Sequence, residues 1–256
     1  MTGAQAMIPL DLDLLRGYGV FETLQTYEGR KFFRVKEHLQ RLFASAQKIG
    51  LSPKYGPGEV LGMLKKISQK SKYERQRIKL VLLPGSVLLF STPVQQLLKE
   101  QKGVTCLSLV CERYLPEVKS ISYLPSFLSH ELARKKGYAE AILVNREGEV
   151  FEGAYSNIFW FEGQTLCTRG EQVLPGIIRQ AILDLALFPV SLKRIKLAQL
   201  KQCQEIFLTS SVQLITPIIK IDQRRIGEGR PGKNTLLLRA RLLAEIKAKG
   251  CDLKKN

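Results

Sequence analysis

"AEAILVNREGEVFEGAYSNIFWFEGQTLCTRG", residues 139–170, is a run of β-branched and aromatic residues broken by short glycine-bearing turns. "AEAILVN" and "VFEG" flank "REGE" and read as a hairpin, and "SNIFWFEGQTLCTRG" supplies two more strands. Glu152 follows strand residues Val150 and Phe151 and precedes a glycine bend, while Asn157 leads into an apolar strand. A carboxylate placed this way needs a partner if it is to tolerate burial.

Working outward, the unit containing this stretch begins near Lys119. Residues 125–136 read as a helix closed by Gly137, and "LPGIIRQAILDLAL" is a helix reached through Pro175-Gly176. "EIFLTSS" and "ITPIIKID" read as strands, and residues 234–249 as an amphipathic closing helix. Upstream, "GVFETLQTY" (19–27) alternates, and "EGR" turns it into "KFFRV" as a second hairpin. "KEHLQRLFASAQKIG" carries Leu39, Leu42, Phe43, Ala46 and Ile49 at helical spacing, with Gly50 as its stop. Residues 57–70 form another helix, and "QRIKLVLLPG" and "GVTCLSLVCE" are strands. The expectation is an α+β protein in two parts: a small domain over residues 1–113, a linker at 114–118 ("YLPEV"), and a larger domain over 119–256. A ligand is expected between them.

Composition excludes several classes. The 45% hydrophobic and 25% charged content is that of a globular protein, and no apolar run reaches the roughly 18–20 residues of a membrane span. The N-terminus lacks the basic and apolar regions of a secretory signal. Five scattered cysteines, an odd number without CxxC spacing, argue for a reducing cytoplasm and against a disulfide framework or structural zinc. Two histidines make a His-rich metal centre a poor reading, so no metal is expected. The net charge of +17 sits largely in "KKISQKSKYERQRIK" (65–79) and the C-terminal third. No nucleic-acid-binding signature accompanies it, so a solvated helical face and a preference for anionic small molecules are expected instead.

Three features carry chemistry. Gly176 permits close backbone approach, and the free N–H groups of Ile177 and Ile178 sit at the positive end of a helix, a ready phosphate site. Ser210 and Ser211 at the end of a strand are further donors or a plain turn, and Arg41 is a phosphate clamp or a solvated side chain. Glu152 is either half of a structural ion pair or the carboxylate that keeps a pyridinium nitrogen protonated. Lys119 is the only lysine or arginine between Arg113 and Arg134, among Val118, Ile121, Tyr123 and Leu124. A lysine in apolar surroundings loses basicity and becomes a nucleophilic amine. Its competing reading is a side chain snorkelling out of a strand.

The collinear series "RGYGVFETL", "EHLQRLFASAQKIGL", "VKSISYL", "GYAEAILVNREGEVFEGAYSNIFWF", "LPGIIRQAIL" and "LTSSVQLITPI" resembles the class IV (fold type IV) pyridoxal-phosphate enzymes over about residues 8–222. That group includes branched-chain aminotransferases, D-amino-acid aminotransferases and aminodeoxychorismate lyase. The resemblance implies a larger C-terminal domain folded as a pseudo-barrel, with pyridoxal 5′-phosphate held between the domains. It implies Lys119 as the Schiff-base lysine and proton carrier, Glu152 on the pyridine nitrogen, and Asn157 supporting Glu152. Arg41, the Ile177 and Ile178 amides, Ser211 and the Val212 amide would hold the phosphate, with Tyr123 beside the cofactor and Phe21 near the substrate. It also implies a homodimer acting on an amino acid and a 2-oxo acid.

Departures from the family pattern concern the substrate. "GYGVFE" replaces the frequent "GDGVFE", and Gly-Ile-Ile-Arg replaces Gly-Ile-Thr-Arg. The carboxylate-binding Arg-Gly pair that follows the "RIKLVLL" strand in many members is Pro84-Gly85 here, leaving Arg16 or Arg179 to replace it. The expectation is an aminotransferase, with D-amino acids slightly favoured over branched L-amino acids. The alternative is the lyase that releases pyruvate from aminodeoxychorismate.

Overall fold

The computed structural model describes residues 12–94 and 102–250. After a short helix α1 (Leu12–Leu15), strand β1 (Val20–Gln25) forms a three-stranded antiparallel sheet with β2 (Gln76–Leu82) and β3 (Val87–Pro93), in the order β1-β2-β3. Helices α2 (Val35–Lys48) and α3 (Pro57–Lys70) lie between β1 and β2 in sequence. Val35, Leu39, Leu42 and Ala46 form one face of α2 because they recur every three or four residues. They meet Ile78, Leu80 and Leu82, the inward-facing alternate residues of β2. The same alternation turns Arg77 and Lys79 to the opposite face of the small sheet.

The second sheet has nine strands, in the order β6-β5-β4-β11-β10-β7-β8-β9 with β12 on β11, and it curls into a half-barrel. Its strands are β4 (Val104–Val110), β5 (Glu140–Val144), β6 (Val150–Gly153), β7 (Asn157–Glu162), β8 (Thr165–Thr168), β9 (Val190–Leu192), β10 (Ile206–Ser210), β11 (Leu214–Ile221) and β12 (Arg224–Arg225). Helices α5 (Ile177–Asp184) and α7 (Lys233–Lys249) pack Ile178, Ala181, Ile182, Leu238, Leu242 and Ile246 against Phe159, Phe161 and Phe207 on one face. On the other face Trp160, Ile158, Ile206 and Ile218 meet Leu200, from the short helix α6 (Leu197–Leu200), and Ile226. Helix α4 (Leu124–Lys135) covers β5 through Ala133, Ala141 and Leu143.

The hairpin expected at 139–153 forms as β5–β6, and the two strands expected in "SNIFWFEGQTLCTRG" form as β7 and β8, which pair antiparallel. The expected hairpin of 19–27 with "KFFRV" does not. Only Thr26 and Phe32 bridge, and β1 pairs along its length with β2. The turn is a 3-10 segment with Gly29 and Arg30 at positive φ, after which adjacent phenylalanines part: Phe32 enters the α2–β2 core and Phe33 the α5–α7 core. Strand β4, expected with the first unit, instead runs parallel between β5 and β11 in the large sheet. Strands β3, β9 and β12 and helix α6 had no counterpart in the sequence reading. Helix α7, expected as amphipathic, buries Leu238, Leu242 and Ile246, yet Leu236, Leu237 and Leu243 are exposed.

The two sheets meet at Lys119. Residues 119–121 lie along the free edge of β1: Phe21 N–H donates to Lys119 O at 2.9 Å, and Ile121 N–H donates to Gly19 O at 2.9 Å. This edge pairing presents Lys119 at the junction between the small sheet and the half-barrel.

Candidate active site

A cavity of about 480 Å³ opens at this junction. Its wall takes in Lys119, Glu152, Asn157, Arg41, Tyr123, Phe21, Ile177, Ile178, Arg179, Ser210, Ser211 and Val212, side chains up to 191 positions apart in the chain (212 minus 21). Arg16 is not on this wall. Its side chain is 73% exposed and lies 4.0 Å from Asp13, so the structure does not bring it to the cavity as a carboxylate ligand. Arg179 is on the wall but buried, with one guanidinium nitrogen donating to Arg169 O at 2.9 Å.

Lys119 is half-buried by exposed area because it faces the cavity, while protein atoms crowd its other sides. Its Nζ lies 4.4 Å from the Phe21 ring centroid and 5.8 Å from that of Tyr123. Loss of solvation pushes its pKa down to about 7, helped by the Arg41 and Arg113 cations and opposed by Glu22 and Glu152. A lysine near pKa 7 is about half neutral at neutral pH, which is the condition for a nucleophilic amine. The Phe21 and Tyr123 rings form the apolar part of its surroundings, and Arg41, Glu22, Arg113 and Glu152 are the charges that bear on it.

Glu152 is buried at the end of β6. Its Oε2 accepts from Asn157 Nδ2 at 3.2 Å and from Leu174 N–H at 3.1 Å, and its Oε1 accepts from Arg113. Burial raises its pKa, and Arg113 is the main opposing influence. Asn157 Nδ2 also donates to Leu174 O at 2.8 Å, tying the carboxylate to the "LPG" turn. A Cβ at Gly176 would lie 1.9 Å from Asn157 Oδ1, so close approach rather than a special φ excludes any side chain there. Helix α5 starts at Ile177, and its first N–H groups have no partners within the helix.

Arg41 is neither solvated nor free. Its Nε donates to Glu22 Oε1 at 2.7 Å, one terminal nitrogen donates to Glu22 Oε2 at 2.8 Å, and the other donates to Pro175 O at 2.9 Å. His38 Nδ1 lies 2.8 Å from the same Glu22 Oε2. Burial alone would raise the Glu22 pKa, but Arg41 and His38 outweigh it and hold the carboxyl well below its ordinary range. Burial lowers the His38 pKa despite Glu22. The sequence reading missed Glu22 and His38; a lone acid in "VFETL" gives no sign of the partners that the fold supplies from α2.

Three buried polar atoms on the cavity wall lack hydrogen-bond partners among the described residues: Arg179 Nε, Thr209 Oγ1 and Ser156 Oγ. A buried polar atom without a partner is costly, so such a set suits a polar ligand. Beside them lie the α5 N-terminus and the hydroxyl turn at 209–211 for an anionic group, and the Glu152 carboxylate for a protonated ring nitrogen. These residues fit pyridoxal phosphate. Among the described residues no cluster of side chains suits a metal ion. Across the cavity mouth, the small sheet adds Arg77, Lys79, Phe90 and Thr92, which sequence reading did not single out.

Comparison with known proteins accords with this site. The family described as amino-transferase class IV matches residues 19–221. The chain is 30% identical to a D-alanine aminotransferase of Listeria monocytogenes, over 90% of this chain and 89% of that one. It is 28% identical to a putative branched-chain-amino-acid aminotransferase of Methanocaldococcus jannaschii, over 90% and 87% respectively. The structure superposes on the branched-chain aminotransferase of the archaeon Thermoproteus uzoniensis with norvaline at a TM-score of 0.82 and 28% identity, covering 93% of this chain and 88% of that one. A cavity that sets a desolvated lysine opposite a buried carboxylate and a helix N-terminus, on a fold matched over most of its length, places the chain in the class IV aminotransferase family, whose cofactor is pyridoxal 5′-phosphate.

Proposed function

We propose that the protein transfers an amino group from a D-amino acid to a 2-oxo acid, with branched L-amino acids as the second choice. The observation that carries the placement of the chemistry is Lys119, a lowered-pKa amine sharing one cavity with Glu152 and the α5 N-terminus. The 30% identity to a D-alanine aminotransferase supports the D-amino-acid preference.

When bound, pyridoxal phosphate supplies an aldehyde carbon for an amine and a ring that accepts the electrons released at the substrate Cα. The protein's own residues then divide the work. Lys119 Nζ, whose lowered pKa suits it to act as a base and then an acid near pH 7, would take the proton from the substrate Cα and deliver it to the carbon that carried the cofactor's aldehyde, the 1,3-shift a transamination requires. Glu152, ionised, would keep the ring nitrogen protonated, and Asn157 and the Leu174 amide hold Glu152 in place. Arg41, the Ile177 and Ile178 amides, Ser211 and the Val212 amide line the cavity where they would hold the phosphate, while Tyr123 and Phe21 would wall the reacting end. Arg77 and Lys79, on the cavity-facing side of β2, are the residues we propose for the substrate carboxylate in place of Arg16. Both line the mouth, and Lys79 Nζ lies 4.7 Å from the centroid of the same Phe21 ring that Lys119 approaches.

The reading extends to the whole protein. Leu124, Leu128 and Leu132 form an exposed apolar stripe on α4, and with Phe127 at the cavity edge they support a homodimer. Sedimentation at micromolar concentration should return twice the 28.9 kDa chain mass. The described cysteines are all free, in keeping with a reducing cytoplasm.

The deciding experiment is borohydride reduction of the cofactor-loaded protein followed by peptide mapping, then half-reactions with D- and L-amino acids followed by the cofactor's visible band. The adduct is expected on Lys119, with faster bleaching by D-alanine than by L-leucine or L-valine. An adduct on another residue sinks the site. If no amino acid bleaches the band while aminodeoxychorismate yields pyruvate, the enzyme is the lyase.

A further inference from the structure

Arg113 has no role in the scheme above, yet it is the side chain most tightly joined to Glu152. One guanidinium nitrogen, Nη2, donates both to Glu152 Oε1 and to the backbone carbonyl of Pro116, and the side chain is only 14% exposed. Pro116 belongs to the tight turn before the lysine. Val118 N–H donates to Leu115 O at 2.9 Å, Leu115 holds a positive φ of 49°, and Lys119 follows. A single guanidinium therefore fastens the turn that presents the amine to the carboxylate across the cavity.

The acceptor capacity of Glu152 sharpens this. Each carboxylate oxygen offers about two lone-pair sites. Oε2 already receives two donors, Asn157 and the Leu174 amide, while among the described residues Oε1 receives only Arg113. The capacity left for a ring N–H is on Oε1, the oxygen Arg113 touches. We propose that Arg113 is a positioning residue that keeps Glu152 ionised and its Oε1 aimed into the cavity, and so governs how firmly the protein holds a protonated pyridine ring. The proposal rests on the reading of Glu152 as the ring-nitrogen partner.

Four charged or titratable groups bear on Glu152. Arg113 comes from the segment after β4, Lys119 from the edge of β1, Arg179 from α5, and Tyr123 from the start of α4. Arg113 is the cation in direct contact, and burial works against it. Without that cation, the carboxyl should hold its proton to higher pH. A neutral Glu152 cannot form an ion pair with a protonated ring nitrogen, so cofactor affinity should fall as pH falls.

The test is equilibrium dialysis of pyridoxal phosphate from full-length wild-type, R113M, R113K and E152Q proteins between pH 5.5 and 9. In R113M the dissociation constant at pH 7 should rise about tenfold or more, with the midpoint of its pH dependence at least one unit above wild type; because Arg113 also lowers the Lys119 pKa, the shift should persist when both proteins are compared on a K119A background. R113K, which keeps the charge, should recover most of the midpoint. If R113M fails to fold, R113Q carries the same expectation. Wild-type affinity in R113M, or a loss equal at every pH, would show a mere tether to the Pro116 carbonyl and overturn the proposal. E152Q separates the two levels. If it binds cofactor as wild type does, the reading of Glu152 fails and Arg113 falls with it; if it binds weakly while R113M does not, only the role of Arg113 fails.

Discussion

Glu22→Gln probes a buried carboxylate that is paired with Arg41 and His38. Glu22 is fully buried and accepts two hydrogen bonds from Arg41, at 2.7 and 2.8 Å, beside a His38 contact at 2.8 Å. The amide keeps the volume but removes the charge, leaving the Arg41 guanidinium buried without a counter-ion. Removing one partner of a buried pair costs about 3–5 kcal/mol. For a chain of this size that corresponds to a fall in Tm on the order of 10 °C. Glu22 also has a pH signature. Its folded pKa lies well below the ordinary value of 4.5, so its stabilisation is fully present above that value and is lost as pH falls through the folded pKa. Urea unfolding at pH 7 and across pH 3–5 should therefore show two differences. Glu22→Gln should be about 3–5 kcal/mol less stable at pH 7, and its stability should fall less steeply in acid than that of wild type. A loss below about 1 kcal/mol, the scale of an exposed ion pair, would refute the view that Glu22 neutralises the Arg41 end of the cavity.

Three further outcomes are expected. With its pKa near 7, Lys119 in the cofactor-free protein should be labelled by an amine-reactive reagent with a midpoint near pH 7, while surface lysines titrate about three units higher; quantitative peptide mapping against pH checks this. Gly176→Ala should weaken pyridoxal-phosphate binding by at least tenfold, because the added methyl falls 1.9 Å from Asn157 Oδ1 and must displace the α5 N-terminus or the Glu152 support; a fluorescence titration reads it. Leu242→Ala, in the fully buried stripe of α7, should cost about 2–5 kcal/mol in urea unfolding without moving the Lys119 labelling midpoint.

Strong local patterns survived the comparison with the structure. The α2 stripe, the helix at 57–70, the β5–β6 hairpin, strands β7 and β8 and the Pro-Gly start of α5 all stand where short-range spacing placed them. The failures share a cause. "KFFRV" has the composition of a strand, but its two phenylalanines are claimed by different cores, so no local pattern could forecast a single bridge. Strand β4 is a short apolar run that fits either sheet, and only its distant partners β5 and β11 decide. At the site, Lys119, Glu152, Asn157 and the 176–178 turn stood out through their neighbours in sequence and through family resemblance. Arg16 stood out too, and it lies on the surface.

The sequence alone determined the elements and the chemical types within reach: a lysine in an apolar stretch, a carboxylate after a β-strand, and a glycine before a helix. Each depends on neighbours within a few residues, the range over which backbone preference and periodicity act. Tertiary structure decided the partners. Arg113 meets Glu152 across 39 positions, Arg41 meets Pro175 across 134, and Arg77 and Lys79 reach the cavity only because β2 pairs with β1. Desolvation and Coulomb attraction depend on distance in space rather than along the chain. The basicity of Lys119 and the ionisation of Glu152 and Glu22 are therefore properties of the folded junction.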